Sequence, residues 1–137
     1  MKLPPSHEQI IAAVRKALPQ ARAAWLFGSV VSGRFGPGND IDLAVDLVSP
    51  LSPAARWEMT HRLAQDLGTD VDLLDFRRLS TVMQYQVLAT GQRLFSVDEG
   101  ATAAYCGFVL SEYQNIQAWR QPMMRQLAQR LAPRRWT

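Results

Sequence analysis

The stretch Leu26-Phe27-Gly28-Ser29, followed after ten residues by Asp40-Ile41-Asp42-Leu43, decides how this chain folds. Upstream, residues 23–27 (Ala-Ala-Trp-Leu-Phe) form an unbroken apolar run that stops at a glycine, the pattern of a short buried strand. Between the two halves stand Gly33, Gly36, Pro37 and Gly38, which mark turns and loop, with a short helix opening at Ser29. Downstream, residues 41–48 alternate. Ile41, Leu43, Val45 and Leu47 fall on one side, and Asp42, Ala44 and Asp46 on the other, which predicts a half-buried strand.

Side chains at i and i+2 of a strand share a face, so Asp40 and Asp42 project together while Ile41 and Leu43 anchor the opposite face. Two ionised carboxylates this close raise each other's pKa, and the pair is costly unless a proton or a cation lies between them. Mg²⁺ suits the position, because it takes hard oxygen ligands and is commonly held by one or two carboxylates plus substrate phosphates. Gly28 lets the backbone approach a ligand closely. The helix start behind it offers free N–H groups and a partial positive charge to a phosphate, and Ser29 adds a hydroxyl. A phosphate cradle and a carboxylate pair joined by a glycine-rich loop describe a site for a nucleoside triphosphate. A third carboxylate is expected from Asp70-Val71-Asp72-Leu73-Leu74-Asp75. Asp70 and Asp72 share a face, so spacing does not choose between them. Asp72 lies deeper in the apolar run and is preferred, whereas Asp70 sits at the strand mouth, where a carboxylate needs no special reason. A lone Asp-x-Asp is usually a polar strand face and a lone Gly-Ser means nothing. The joint pattern is what carries information.

Working outward, Ser6 with Gln9 three residues later forms a capping box for a helix over about 7–18, which Pro19 stops. Ser52-Pro53 opens a helix carrying Trp57, Leu63, Ala64 and Leu67 and closing at Gly68. Residues 70–76 read as a second alternating strand, 79–89 as a helix closing near Gly91, and 93–96 as an edge strand. Residues 101–131 read as helical, split at Pro122, because proline fits the first turn of a helix and breaks the middle of one. The order predicts an α/β (α+β) domain: a small sheet with flanking helices, a core over 1–97 and a C-terminal helical extension over 98–137 that packs on the core or on a partner.

Charge and composition narrow the function. Fifteen Lys and Arg against twelve Asp and Glu give a net charge of +3, too mild to point to direct nucleic-acid binding. The last acid is Glu112; beyond it lie Arg120, Arg125, Arg130, Arg134 and Arg135, either a solvated face and tail or a contact for an acidic partner, a nucleotide or RNA. Tyr105, Phe108, Val109, Tyr113, Ile116, Trp119, Met123 and Leu127 form more than one stripe, so a helix here must be covered on several sides, by its own sheet or by a partner. The single Cys106, in an apolar stretch without a neighbouring histidine, reads as a small core residue and suits a reducing cytosol. No apolar run approaches the ~20 residues that span a bilayer, and Met1-Lys2-Leu3-Pro4-Pro5 is no signal-peptide start, so a cytoplasmic protein without a membrane partner is expected.

At Gly28-Ser29, Asp40-Ile41-Asp42 and Asp72 the chain resembles the nucleotidyltransferase superfamily of DNA polymerase β-like folds, whose hallmark is Gly-Ser, a spacer, Asp-x-Asp and a later third Asp. Within it the chain is similar, over nearly its whole length, to the minimal nucleotidyltransferase (MNT, MntA-like) antitoxins. The segments Leu110-Ser111-Glu112-Tyr113 and 119–125 match their helical tail more loosely. The resemblance implies a small mixed sheet and a Mg²⁺-dependent transfer of AMP from ATP to a tyrosine of a HEPN-type (HepT-like) toxin ribonuclease. It implies that Asp40 and Asp42 hold metal, that Asp72 completes the metal site and helps activate the acceptor hydroxyl, and that Gly28 and Ser29 bind the triphosphate. Members often carry basic residues after Gly-Ser. Here Val30, Val31 and Ser32 stand there, and Arg34 is the one cation left to assist the triphosphate. Two further readings compete: a non-catalytic antitoxin that acts by binding alone, and a nucleotidyltransferase with a small-molecule acceptor, for which 137 residues leave little room. The Arg56-x4-His61 spacing is that of HEPN ribonucleases, but positions i and i+5 of one helix do not line up, and His61 and His7 read as surface or packing residues.

Overall fold

The computed structural model describes residues 4–33 and 40–132. Helix α1 (His7–Ala17) starts at the expected capping box: Ser6 accepts from the Gln9 amide, and the Gln9 side chain accepts from the Ser6 amide. Strand β1 (Ala23–Phe27) leads into the single-turn helix α2 (Ser29–Ser32). Strand β2 (Ile41–Asp46), helix α3 (Pro53–Leu67) and strand β3 (Val71–Asp75) form a β-α-β unit. A 3₁₀ turn (Phe76–Arg78), helix α4 (Thr81–Thr90), strand β4 (Gln92–Ser96) and helix α5 (Glu99–Leu131) complete the order.

The four strands lie in the order β3-β2-β1-β4. β1 pairs antiparallel with β2 and with β4, while β2 and β3 run parallel, so the sheet is mixed as expected. One face, with Ala24, Leu26, Ile41, Leu43, Val45 and Leu73, is covered by α1 through Ile10 and Val14 and by α3 through Leu63. The opposite face, with Ala23, Trp25 and Ala44, packs against Phe76, Val87 of α4, and Tyr105 and Cys106 of α5. Trp25 and Phe76 meet at 4.5 Å between ring centroids, and Tyr105 meets Phe76 edge-on at 6.0 Å.

Two expectations are corrected. β2 is not half-buried: Ala44 and Asp46 are as buried as Leu43 and Val45, because α4 and α5 close over the face that alternation assigned to solvent. Nor does Pro122 split the last helix, since α5 runs unbroken through it. Proline removes one backbone bond, at a cost of about 3 kcal/mol in a helix interior, but the flanking Gln, Ala, Met, Arg and Leu residues are good helix formers and carry the helix on. Among the described residues, no helix is long and apolar enough to cross a membrane.

Candidate active site

The residues singled out by the sequence gather at one end of the sheet, where β1 ends and β2 and β3 begin. Phe27, the last residue of β1, pairs with Asp42, and in the parallel ladder Asp42 pairs with Asp72. Neighbouring strands therefore bring Asp42 and Asp72 side by side on the face that α4 covers further along. Asp40 precedes β2 and is exposed, as is Asp72, while Asp42 is half-buried between them. Asp70 stands just before β3, where its carbonyl accepts from the Ile41 amide at 2.9 Å.

Gly28 fits this end of the sheet for two separate reasons. Its φ of 78° and ψ of −148° lie in a region that side chains strongly disfavour. A Cβ there would also collide with the Asp42 carboxylate. Glycine thus lets the strand-to-helix turn press directly onto the acid. Ser29 follows as the first residue of α2, half-buried. One turn of helix has little macrodipole, so any anion here is met chiefly by individual backbone N–H groups. Arg34 lies outside the described residues.

Electrostatics single out Asp42. Burial pushes its carboxyl above the usual carboxylate range, and the neighbouring Asp72 and Asp40 carboxylates push it the same way. A half-buried carboxylate whose charge is disfavoured by two neighbouring carboxylates suits a divalent cation such as Mg²⁺, which takes hard oxygen ligands. Among the described residues, no three acidic, histidine or cysteine side chains are placed to hold a metal ion by themselves. The open arrangement, with two exposed carboxylates, suits an ion whose remaining ligands come from substrate and water.

Alternation along β2 gave no hint of what Asp46 does. Its side chain is 3% exposed and takes hydrogen bonds from both Nε and Nη2 of Arg77. Arg77 also lies over the Tyr105 ring at 4.6 Å, and the Asp46 hydrogen bond is the main reason its pKa is raised. Gln84 donates to the Phe76 carbonyl at 2.9 Å and to the Tyr105 hydroxyl at 3.1 Å. This network ties β2, the 3₁₀ turn, α4 and α5 together, away from the Asp42 end. The sequence reading also missed the surroundings of Asp72, where Trp57 and Arg56 of α3 border the same hollow. An exposed tryptophan on a helix that follows the Asp-x-Asp strand was the available signal.

A mixed four-stranded sheet with a Gly-Ser turn pressed on paired aspartates defines a nucleotidyltransferase. Residues 8–100 match the family Polymerase beta, Nucleotidyltransferase, and the chain belongs to that family. It is 35% identical over 119 residues to the protein adenylyltransferase MntA of Shewanella oneidensis, across 87% of this chain and 85% of that protein. A crystal structure of a toxin–antitoxin with AMP-PNP superposes with a TM-score of 0.78 at 34% identity, covering 90% of this chain and 98% of the matched one. A tri-AMPylated Shewanella oneidensis HEPN toxin in complex with MNT antitoxin contains a chain matching with a TM-score of 0.71 at 34% identity, over 88% of this chain and 94% of that one.

Proposed function

We propose that this chain is a Mg²⁺-dependent protein adenylyltransferase that acts as an antitoxin in the cytoplasm, moving AMP from ATP to a tyrosine of a HEPN-type toxin with which it forms a complex. The observation that carries this reading is the approach of the Gly28 turn to Asp42, with Asp72 next in register. The similarity to the adenylyltransferase MntA and to a complex holding an AMPylated HEPN toxin supplies the nucleotide and the acceptor class.

In this reading Asp40 and Asp42, with Asp72, hold Mg²⁺, which when bound offsets the charge on the triphosphate and on the oxygens that enter and leave. Gly28 leaves room for the phosphates, and the Ser29 hydroxyl and nearby backbone amides bind them, with Arg34 assisting. The acceptor oxygen attacks the α-phosphorus, the bond to pyrophosphate breaks, and the hydroxyl proton passes to the Asp72 carboxylate. Most of the rate comes from positioning and charge stabilisation, so each carboxylate should matter severely. Core residues 1–97 carry the chemistry and the extension over 98–137 contributes the partner contact. That division is supported by the exposed apolar residues Trp119, Met123, Met124, Leu127 and Leu131 on the distal part of α5.

Intact mass spectrometry tests the reading. The protein is incubated with Mg²⁺, ATP and a HEPN-type toxin protein as acceptor. One or more AMP additions to the toxin are expected, and none with Asp42→Asn or with Asp40→Ala/Asp42→Ala. The Asp42→Asn chain should fold with a Tm no lower than the parent's, since the substitution removes a half-buried charge crowded by two others. A stable complex without any mass gain would mean an antitoxin that acts by binding alone.

A further inference from the structure

We propose that Gly91 is a positioning residue for the transfer: having no side chain, it lets the end of α4 bear on the end of β1 and so holds the Phe27-Gly28 turn against Asp42. This rests on the adenylyl-transfer reading above and deepens it. Gly91 joins α4 to β4, and its amide donates to the Val87 carbonyl at 2.8 Å, closing the last turn of α4. Its backbone does not call for glycine, since a φ of −86° and a ψ of 171° are open to any residue. Space is the reason. A Cβ at 91 would lie 2.5 Å from the Val87 carbonyl oxygen, 2.9 Å from the Leu26 carbonyl oxygen and 3.4 Å from the Phe27 Cβ. The two closest atoms are backbone and cannot swing aside as the end of a side chain would.

Register sets this contact in line with the acids. Leu26 pairs with Gln92 in the antiparallel ladder of β1 and β4, so one step on Gly91 comes level with Phe27. Phe27 pairs with Asp42, and Asp42 with Asp72. Residues directly opposite each other share a face of the sheet. Gly91, Phe27, Asp42 and Asp72 therefore form one row across its end, on the side where α4 packs.

The turn has no slack within this row. On the β2 side, Gly28 lies so near the Asp42 carboxylate that a Cβ would collide with it. On the β4 side, Gly91 lies against Leu26 and Phe27. An atom added at 91 has two outlets: the last turn of α4 lifts, or the end of β1 moves and carries Gly28 with it. α4 is anchored by Val87, fully buried in one cluster with Trp25 and Phe76, and by the Gln84 bond to the Phe76 carbonyl at 2.9 Å. The end of β1 runs only into the single-turn helix α2, and it is the softer of the two.

Single-turnover AMP transfer within the preformed complex with a HEPN-type toxin tests this assignment, at a temperature well below the melting point of each variant. Gly91→Ala should transfer about a hundredfold more slowly at saturating Mg²⁺-ATP, the scale of a 1 Å misplacement, with its affinity for the toxin unchanged. Asp46→Ala, which weakens the fold away from the turn, should transfer at the parent rate. A loss of rate shared by both variants would make Gly91 a matter of stability alone and overturn the proposal, as would transfer by Gly91→Ala at the parent rate. Val87→Ala loosens the same turn of α4 without adding an atom, and it should slow transfer severalfold. If Gly91→Ala does not fold, this second variant decides: transfer by Val87→Ala at the parent rate overturns the proposal. A parent chain that transfers no AMP at all would remove the underlying reading and this one with it.

Discussion

Asp42 and Asp46 lie four residues apart on the same face of β2, yet their surroundings give them opposite tasks. Asp42 is crowded by Asp40 and Asp72 and gains nothing from being charged until a cation arrives. Asp46 is satisfied inside the fold by both arms of Arg77. Alternation put both on a solvent face, and the distinction was not legible because Arg77 is 31 residues away in sequence. The Asp40–Asp42 pair, by contrast, was legible from spacing alone, and so was the tension within it. Removing one partner of a buried ion pair costs about 3–5 kcal/mol, and Arg77 keeps enough contact with water to hold the loss near the lower figure. Asp46→Ala should therefore lower Tm by roughly 10 °C in a thermal melt while leaving ATP binding intact. Loss of ATP binding without loss of stability would show that Asp46 belongs to the site. Gly28→Ala should cost both stability and chemistry. Backbone strain of about 1–3 kcal/mol lowers Tm by roughly 3–10 °C. Displacement of the Asp42 carboxylate costs transfer about a hundredfold, the scale of a 1 Å misplacement. Measured kcat and Tm for this variant separate the two effects.

Elements were legible where their ends carry local chemistry. The Ser6 and Ser52 hydroxyls accept from the amides of Gln9 and Ala55, as a cap should. Gly68 closes α3 in the left-handed conformation that glycine tolerates. The start of α4 was placed two residues early, before its true cap, Ser80, which accepts from the Met83 amide. The sequence preferred Asp72 over Asp70 as third carboxylate from its depth in the apolar run, since both share a face; the ladder puts Asp72 directly opposite Asp42. Helix α5 was misjudged at Pro122 because local propensity says what proline costs but not whether the neighbours can bear it. From residue 118 onward every described residue of α5 is exposed, so this part is held by propensity alone and should be marginal by itself. Pro122→Ala should then raise helicity in far-UV circular dichroism and slow amide exchange around residues 118–126. The main thermal transition, set by the sheet and its packed helices, should not move. A shift of several degrees in that transition would mean the distal helix packs on the core after all.

At the scale of the whole molecule, α5 changes character along its length. Its first half belongs to the core: Thr102 and Val109 are buried, Tyr105 reaches Phe76, and Tyr113 stacks on Tyr85 at 3.7 Å. Gln117 still bonds to the Tyr113 hydroxyl at 2.7 Å. Beyond it the helix presents Trp119, 76% exposed, with Met123, Met124, Leu127 and Leu131, interleaved with Arg120, Arg125 and Arg130. Sequence alone showed apolar residues on more than one side of this helix. It could not say which the sheet would cover, because that depends on where α5 leaves the core. A large apolar surface flanked by arginines fits the partner contact proposed above, since aromatic, Met and Arg side chains are the ones enriched at interfaces. A chain ending after residue 117 keeps the core contacts and discards this surface. Its Tm and ATP affinity should match those of the full chain, while its affinity for the HEPN-type partner, followed by calorimetry, should fall by a hundredfold or more, as when several buried anchors are removed together. Partner binding at full strength by the shortened chain would move the contact to the catalytic face. Complex formation and access to Asp72 would then depend on one surface rather than two.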